Sequence, residues 1–216
     1  MKSTLKQLHH WINGSKMTAD ASFDGVSTDT RLVGEGNLFV ALKGENFDAH
    51  DFLNELPKKG VVAVVAERIP ENYPLPALIV ADTRLALGEM ATQWRRNFAI
   101  PVVGVTGSNG KTTVKEMIST IFKTAFGEEG RLATSGNFNN DIGVPLTIFR
   151  MNASHRAAVI ELGMNHVGEM AYLSAIAQPT VGLVNNAQRE HQEFMQTVLA
   201  VAEENGTVIR TLPENG

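Results

Sequence analysis

The stretch VVGVTGSNGKTTVKEM, residues 102–117, joins two patterns of different period through a turn of small residues. Before the turn, the apolar run VVGV predicts a buried strand, and after it the segment KTTVKEMISTIFKTAF, residues 111–126, predicts a helix. A turn with almost no side chains lets backbone N–H groups converge on an anion, and the helix N-terminus adds unpaired donors. The stretch therefore predicts a phosphate-binding loop between a strand and a helix.

The loop follows the usual phosphate-loop pattern in its second half only. Lys111 is placed to reach the β- and γ-phosphates of a nucleotide, and the Thr112 hydroxyl is placed to bind Mg²⁺. The first glycine of the usual pattern is replaced by Val105, and Gly104 lies one position too early. The alternative is a plain glycine turn before an ordinary helix. The residues expected to contact ATP are Thr106, Gly107, Ser108, Asn109, Gly110, Lys111, Thr112 and Thr113. GTP is less favoured because the chain has no Asn-Lys-x-Asp motif for reading guanine.

Outward from the loop, residues 100–216 alternate short apolar runs with amphipathic ones. Strands are predicted at VVGV (102–105), RLAT (131–134), AAVIEL (157–162) and VGLVNN (181–186), and further helices at 168–178 and 193–206. Strands that alternate with helices imply a parallel sheet with right-handed crossovers. The helix at 111–126 is assigned from the spacing of Val114, Met117, Ile118, Ile121, Phe122 and Phe126. The chain stops after a helix where a fifth strand is expected, which suggests a partial nucleotide-binding domain.

The first part of the chain predicts a separate, smaller α/β domain over residues 1–82. Buried strands are expected at LFVAL (38–42), VVAVVA (61–66) and ALIVAD (77–82), with a helix over residues 48–60 that ends at a glycine. Residues 83–99 predict a helix that connects the two domains. Its apolar face comprises Leu87, Met90, Ala91, Trp94 and Phe98.

The composition is that of a globular protein, with 43% hydrophobic and 19% charged residues among 216. The net charge of −4 gives no polybasic signal, so we expect neither nucleic acid nor an anionic membrane as a partner. The chain has no cysteine, which excludes disulfides and thiolate catalysis. The N-terminus lacks a signal peptide and no apolar run is long enough to span a bilayer. A cytoplasmic protein is expected.

Polar side chains at the predicted strand ends suggest a metal and substrate site. Glu161 closes an apolar strand, where an acid in phosphate-loop proteins holds Mg²⁺, although a solvated carboxylate is the alternative. His191 follows the next strand and would suit a second, less strict metal site that also takes Mn²⁺, although a structural histidine is the alternative. The segment TSGNFNNDIGVP, residues 134–145, is either a turn or a binding surface for a phosphate-bearing substrate.

Together these motifs resemble the Mur ligases of peptidoglycan synthesis. The resemblance is carried by TGSNGKTTVKEM (106–117), GNFNNDIGVPLT (136–147), VIELGMNHVGEM (159–170) and VNNAQREHQEF (184–194). The N-terminal segment GVSTDTRLVGEGNLFVALKGENFDAHDF (25–52) is most similar to members that join D-alanyl-D-alanine to UDP-N-acetylmuramoyl-tripeptide. The resemblance runs in order through essentially all 216 residues.

The resemblance implies a division of labour between domains. The first domain would bind the UDP part of the substrate, the central domain would bind ATP, and a C-terminal Rossmann-like domain would be absent from this chain. It also implies that Thr112 and Glu161 bind one Mg²⁺ and that Glu161 and His191 bind a second metal. Catalysis would depend on Lys111, Glu161 and His191. The substrate-binding residues that it implies are Ser27, Asp29, Arg31, Lys43, Gly44, His50, Asn137, Asn139 and Asn140.

One departure from the family bears on the second metal site. Many Mur ligases have a carbamylated lysine just before a glycine in the helix after the histidine, and this chain has Asn205 before Gly206. The second metal is then held differently, or water replaces the carbamate. The implied reaction is ATP-dependent amide-bond formation through an acyl phosphate, by a monomer, with these residues alone inactive. The alternatives are a related ligase that adds a single amino acid, folylpolyglutamate synthetase, and a non-catalytic fragment that only binds its ligands.

Overall fold

The computed structural model describes residues 1–189 and 197–214 and divides the chain into two compact units. The first unit is Met1–Gln93 and the second is Trp94–Gly216. The division falls inside one helix, Thr83–Arg95, within the segment that the sequence predicts to connect two domains. Both units are mixed α/β structures, which confirms the predicted fold class.

The first unit is a five-stranded sheet with helices against it and a small two-stranded sheet beside it. Its elements are β1 (Lys2–Thr4), α1 (Leu5–Trp11), β2 (Lys16–Met17), β3 (Ser22–Asp24), β4 (Val26–Ser27), β5 (Leu38–Val40), a 3₁₀ helix (Ala49–Lys59), β6 (Ala63–Ala66), β7 (Ala77–Ile79) and α2 (Thr83–Arg95). The sheet order is β2-β7-β6-β5-β4, and only β2 is antiparallel to its neighbour. β1 pairs with β3.

The predicted helix at residues 48–60 forms with the tighter 3₁₀ geometry. Asp48 begins it by accepting a hydrogen bond from the His50 N–H, and Gly60 ends it in a left-handed conformation with φ of 77°. Pro57 lies inside the helix and cannot donate a backbone hydrogen bond, which disfavours a regular α-helix there. The helix packs on the sheet through residues that join the core of this unit, namely Ala49, Leu53 and Leu56.

The second unit is a four-stranded, wholly parallel sheet in the order β11-β8-β10-β9. Its elements are β8 (Val102–Thr106), α3 (Lys111–Phe126), β9 (Arg131–Ala133), α4 (Gly143–Phe149), β10 (Ala157–Glu161), α5 (Glu169–Ala177), β11 (Val181–Val184) and α6 (Val198–Arg210). The four predicted strands and the parallel pairing are confirmed. None of the helices in the described ranges has the length and apolar character to cross a bilayer.

Two helices of the second unit differ from the sequence prediction, and α1 of the first unit was not predicted. α4 was not predicted, because its segment reads as a turn; Asn140 caps it by accepting hydrogen bonds from Ile142 and Gly143. α6 continues through Gly206 to Arg210, four residues past the predicted end. Val208, beyond that glycine, is fully buried, and this packing offsets the low helix propensity of glycine.

The apolar stripe of α3 is only partly buried. The sheet covers Lys115 and Ser119 instead, which are 0% and 2% exposed. Met117 and Ile121 are 61% and 63% exposed, although their spacing is that of a buried face. Helical periodicity identifies an apolar face but not the element that packs against it. In α3 the sheet packs against the adjacent face, which carries Lys115 and Ser119.

Candidate nucleotide-binding site

The turn between β8 and α3 requires glycine at two positions. Gly107 and Gly110 have φ values of 133° and 75°, which side-chain-bearing residues rarely adopt. A Cβ at Gly107 would lie 3.0 Å from backbone atoms of Asn186, and one at Gly110 would lie 2.8 Å from Nδ2 of Asn185. Backbone conformation and close approach therefore both demand the small residues that the sequence places here.

The donors of the loop gather where α3 begins. The Lys111 ammonium donates to the Gly107 carbonyl at 2.5 Å and lies 3.5 Å from that of Ser108. Thr112 and Thr113 are exposed in the first helical turn, whose N–H groups have no acceptor within the helix. Because the positive end of the helix dipole is here as well, this turn is suited to bind a phosphate group.

Glu161 lies one strand away from the loop. It closes β10, which pairs with β8 so that Glu161 is opposite Val105. Its side chain is 2% exposed, and Oε1 accepts a hydrogen bond of 2.9 Å from Asn139 Nδ2. Oε2 is buried and has no hydrogen-bond partner. An unpaired buried carboxylate oxygen is costly, and a bound cation would satisfy it.

The donor set fits a magnesium ion that is shared with a nucleotide. Mg²⁺ prefers oxygen ligands and is held by one or two protein groups together with phosphates and water. The Glu161 carboxylate and the Thr112 hydroxyl are such groups. The described residues contain no cluster of three or more His, Cys, Asp or Glu side chains that could hold a metal unaided. His191, predicted for catalysis and for the second metal, lies outside the described residues.

Thr134 and Lys115, which no sequence motif singles out, form a chain of hydrogen bonds to the backbone of Glu161. The Glu161 N–H donates to Thr134 Oγ1 at 3.0 Å, and the Thr134 carbonyl accepts a 3.0 Å hydrogen bond from Lys115 Nζ. Lys115 also pairs with Glu116. A lysine within an amphipathic helix normally indicates a solvated face, so the sequence carries no signal that this one is buried.

The three asparagines that were grouped as substrate-binding have different positions. Asn139 holds Glu161, and Asn140 caps α4. Asn137 is exposed, and its carbonyl accepts from the Asn139 N–H at 2.8 Å. Only Asn137 among them leaves its side chain without a described hydrogen bond.

Thr106 and Asn205 bond to each other beneath the loop. Thr106 Oγ1 donates to Asn205 Oδ1 at 2.6 Å, and Asn205 Nδ2 donates to the Val201 carbonyl at 3.0 Å. Both side chains are 1% exposed. Asn205, which occupies the position where the resemblance implies a carbamylated lysine, is therefore engaged in the core, and its oxygen is bonded rather than open to a metal.

In the first unit, Ser27, Asp29 and Arg31 form a closed turn. The Ser27 hydroxyl bonds to the Asp29 backbone, and Arg31 donates to both Asp29 carboxylate oxygens at 2.7–3.2 Å. The hydrogen bonds from Arg31 lower the pKa of Asp29 to about 2. The alternative of a Ser/Asx turn is thus realised, and the exposed guanidinium still offers a cation to a ligand.

Lys43 and Gly44 lie in a cavity of about 420 Å³. Its remaining described lining consists of Glu45, Glu67, Asp82, Thr83 and Arg84. His50 is buried, with Nδ1 bonded to Asp48 at 2.6 Å and Nε2 accepting from the Glu67 N–H at 2.9 Å. The Arg68 guanidinium holds the pKa of Asp48 well below its usual range. Both ring nitrogens of His50 are engaged within the chain, so the ring orders this loop rather than presenting a nitrogen to a ligand.

Two family descriptions match the chain. The one described as "Mur ligase middle domain" matches residues 105–216, and the one described as "Mur ligase family, catalytic domain" matches residues 22–95. Relatives named UDP-N-acetylmuramoyl-tripeptide–D-alanyl-D-alanine ligase include that of Escherichia coli (strain K12), 46% identical over 213 residues, which are 99% of this chain and 46% of the relative. That of Haemophilus influenzae is 45% identical over 192 residues, covering 88% of this chain and 42% of the relative.

Solved structures agree with these matches. Crystal structure I of MurF from Acinetobacter baumannii superposes with a TM-score of 0.90 at 34% identity, covering 100% of this chain and 48% of that one. The MurF ligase from Thermotoga maritima, solved in complex with ADP, superposes with a TM-score of 0.79 at 34% identity, covering 88% and 43%. The chain spans about half the length of the curated relatives it matches.

Proposed function

The chain belongs to the Mur ligase family, and we propose that its protein is the ligase that joins D-alanyl-D-alanine to UDP-N-acetylmuramoyl-tripeptide in peptidoglycan synthesis. The observation that carries the proposal is the pairing of β8 with β10, which sets the orphaned Glu161 carboxylate beside the phosphate loop. The names of the similar proteins support the choice of substrates.

The proposed nucleotide is ATP, bound by the loop Thr106–Thr113 of the second unit. The ADP in the similar Thermotoga maritima structure supports this assignment. Lys111 would leave the Gly107 carbonyl to neutralise the β- and γ-phosphates, and the amides of the first turn of α3 would hold their oxygens. The Thr106 hydroxyl is committed to Asn205, so its contribution would be through the backbone.

The proposed reaction activates a carboxylate by phosphorylation. The terminal carboxylate of the tripeptide attacks the γ-phosphate of ATP, an acyl phosphate and ADP result, and the amine of D-alanyl-D-alanine then displaces phosphate. This chain contributes mainly positioning and charge neutralisation of the phosphates. A Mg²⁺ held by Thr112 and Glu161 would supply further positive charge at the phosphates. Asn139 orients the Glu161 carboxylate for that task, and Thr134 holds the backbone of Glu161.

The first unit is the proposed site for the UDP part of the substrate. Lys43 and Arg84 in the cavity and the exposed Arg31 guanidinium would supply the cations for a diphosphate. The cavity also contains three carboxylates, those of Glu45, Glu67 and Asp82, so its cations alone do not make it positive. His50 would act only by ordering the 3₁₀ helix. The proposed cofactors are ATP and Mg²⁺, with Mn²⁺ as a candidate at the second site through His191. We propose a monomer that acts in the cytoplasm, where ATP and UDP-linked precursors are found.

A coupled assay on the full-length protein tests this function. Phosphate release from ATP is expected only when the UDP-linked tripeptide and D-alanyl-D-alanine are both present. Equal turnover with a single amino acid would instead assign a ligase of the single-addition type, and turnover with a folate would assign folylpolyglutamate synthetase. Residues 1–216 alone are expected to bind Mg²⁺·ADP without forming product. Product formation by these residues alone would show that they suffice for catalysis.

A further inference from the structure

We propose that Asn185 and Asn186 are positioning residues that set the shape of the phosphate loop before a nucleotide arrives. They do so by clamping one residue of the loop, Asn109. The inference rests on the proposed function in one respect, namely that this loop binds a nucleotide. Neither asparagine was assigned a role by the sequence motifs.

The clamp consists of three hydrogen bonds to the backbone of Asn109. Asn186 Oδ1 accepts from the Asn109 N–H at 3.0 Å. The Asn109 carbonyl accepts two further bonds, from Asn185 Nδ2 at 2.7 Å and from Asn186 Nδ2 at 3.0 Å. Both polar groups of a single peptide position are therefore occupied by two adjacent side-chain amides.

A second set of bonds fastens the preceding residue of the loop to the same segment. The Ser108 N–H donates to the Asn186 carbonyl at 3.1 Å, and Ser108 Oγ accepts from the Gln188 N–H at 2.8 Å. Gln188 also accepts from Asn109 Nδ2 through its side-chain oxygen, at 3.1 Å. The loop and the segment that follows β11 are thus joined along several residues rather than at one point.

The sheet supplies the anchor for this clamp. β11 pairs with β8 so that Val184 is opposite Thr106, and the Asn185 N–H donates to the Thr106 carbonyl at 2.9 Å. The asparagines therefore continue a parallel ladder past the last strand residue. Any side chain at Gly110 would collide with Asn185 Nδ2 at 2.8 Å, so the second glycine of the loop makes room for the clamp.

The clamp divides the loop amides into two groups. The Asn109 N–H is turned toward Asn186 and is not available to a phosphate in this conformation. The N–H groups of the first turn of α3, from Lys111 to Thr113, have no helical acceptor and remain for the ligand. A loop held in this shape binds with less loss of conformational entropy, which favours a lower Kd for the nucleotide.

Two substitutions of Asn186 distinguish its bond to the Asn109 N–H from its bond to the Asn109 carbonyl. Asn186→Ala removes both the acceptor and the donor that face Asn109. Asn186→Asp keeps the acceptor for the Asn109 N–H but replaces the donor by a carboxylate oxygen directed at a carbonyl. The matched controls are Asn54→Ala and Asn54→Asp, at an exposed position of the 3₁₀ helix in the other unit.

Hydrogen exchange of the Asn109 amide, followed by NMR in residues 1–216 without nucleotide, tests the clamp directly. Asn186→Ala is expected to speed this exchange by about fivefold or more, the loss of about one hydrogen bond, whereas Asn186→Asp retains most of the protection. Unchanged exchange in Asn186→Ala, with a normal tryptophan emission spectrum, would overturn the proposal. That spectrum would identify an Asn186→Ala variant that fails to fold. The test would then rest on Asn186→Asp, in which loss of the Asn109 protection would overturn the proposal.

Nucleotide binding separates this inference from the proposed function. Titration with Mg²⁺·ADP is expected to show a Kd raised about five- to tenfold in Asn186→Ala and unchanged in both Asn54 controls. In the full-length protein the KM for ATP should rise while kcat at saturating ATP stays within about twofold. An unchanged Kd despite lost protection overturns the positioning role. The unsubstituted chain could bind no ADP while Asn186→Ala still speeds exchange of the Asn109 amide. That result would contradict the proposed function but would support the hydrogen bonds between Asn186 and Asn109.

Discussion

Thr106 and Asn205 are joined by a hydrogen bond of 2.6 Å between side chains that are each 1% exposed. The two residues are 99 positions apart in sequence, at the end of β8 and within α6. The bond ties the base of the phosphate loop to α6, at the position where the family resemblance leads one to expect a carbamylated lysine. In this chain the position contributes to the core of the second unit.

A double-mutant cycle tests the contribution of this bond to stability. Asn205→Leu leaves the buried Thr106 hydroxyl without its acceptor, so we expect the free energy of unfolding to fall by about 1–3 kcal/mol. Thr106→Val in the same chain removes the orphaned hydroxyl and should recover part of that loss. The measurement is urea denaturation followed by fluorescence of Trp94, whose indole N–H donates to the Met151 carbonyl in the second unit, in a Trp11→Phe background. Strictly additive losses would show that the two side chains are not coupled.

Lys111→Ala is predicted to weaken nucleotide binding without unfolding the chain. The ammonium makes charge-assisted contacts to phosphates, and its loss should raise the Kd for Mg²⁺·ADP roughly 10- to 100-fold. Within the described residues its hydrogen bonds go to loop carbonyls, so the thermal midpoint of the free chain should change little. Calorimetric titration gives the Kd. The control is Lys123→Ala, which removes a 59%-exposed lysine from the same helix, and an equal loss of affinity there would contradict a local role for Lys111.

Glu161→Gln is predicted to abolish metal-dependent stabilisation without lowering the stability of the free chain. Oε2 of Glu161 is buried and unpartnered, so an uncharged amide at this position removes a desolvated charge. This gain offsets the cost of burying the new amide N–H groups without a described acceptor. The increase in thermal midpoint that Mg²⁺ adds to ADP should disappear, because the ion loses its anionic ligand. Thermal scans with ADP, with and without Mg²⁺, measure both effects. The exposed Glu203→Gln serves as control, and a retained Mg²⁺ effect in Glu161→Gln would place the ion elsewhere.

Gly163→Ala is predicted to disturb the same site while leaving the carboxylate in place. A Cβ at Gly163 would lie 2.8–3.0 Å from the amide atoms of Asn139, which must then shift away from Glu161. The Mg²⁺-dependent part of ADP binding should weaken by about fivefold, the loss of about one hydrogen bond. Gly34→Ala is a matched control, because no atom lies within 4 Å of a Cβ there. An unchanged Mg²⁺ dependence would show that Asn139 does not orient Glu161.

Asp29→Asn is predicted to change how the first unit responds to acid. Arg31 depresses the pKa of Asp29 to about 2 in the folded chain, below the unfolded value of about 3.9. The stabilisation is therefore present above pH 4 and is lost as the pH falls towards 2. The amide introduced by this substitution cannot titrate, so the variant should be less stable than the unsubstituted chain at pH 7 and equally stable near pH 2. Trp11 fluorescence in a Trp94→Phe background measures this difference.

Salt provides the check on that prediction. Asp29 and Arg31 are both solvent-accessible, with Arg31 85% exposed, so 0.5 M NaCl should reduce the difference at pH 7 by screening. The exposed Glu71→Gln should show no comparable change in acid response. A difference that persists down to pH 2 would indicate that the turn, rather than the ion pair, is the source of stability.

Much of the fold could be predicted because its signals are local. The alternation of apolar runs and helices implied a parallel sheet, and the glycine turn implied a loop at the start of α3. Glu161 was placed correctly at a strand end for the same reason. α4 was missed because Asn140, which caps it, is equally common in turns.

The sequence by itself determined the strands and helices of most of the second unit, the glycine-rich loop and the acid at the end of the neighbouring strand. The tertiary structure decided which side chains those elements bury. Lys115 is buried rather than Met117, and Asn205 bonds to Thr106. Asn139 donates to Glu161, whereas Asn140 accepts hydrogen bonds at the start of α4. The His50 ring is hydrogen-bonded within the first unit. Periodicity is a property of neighbours along the chain, whereas burial and hydrogen-bond partners depend on residues brought together from up to 99 positions away.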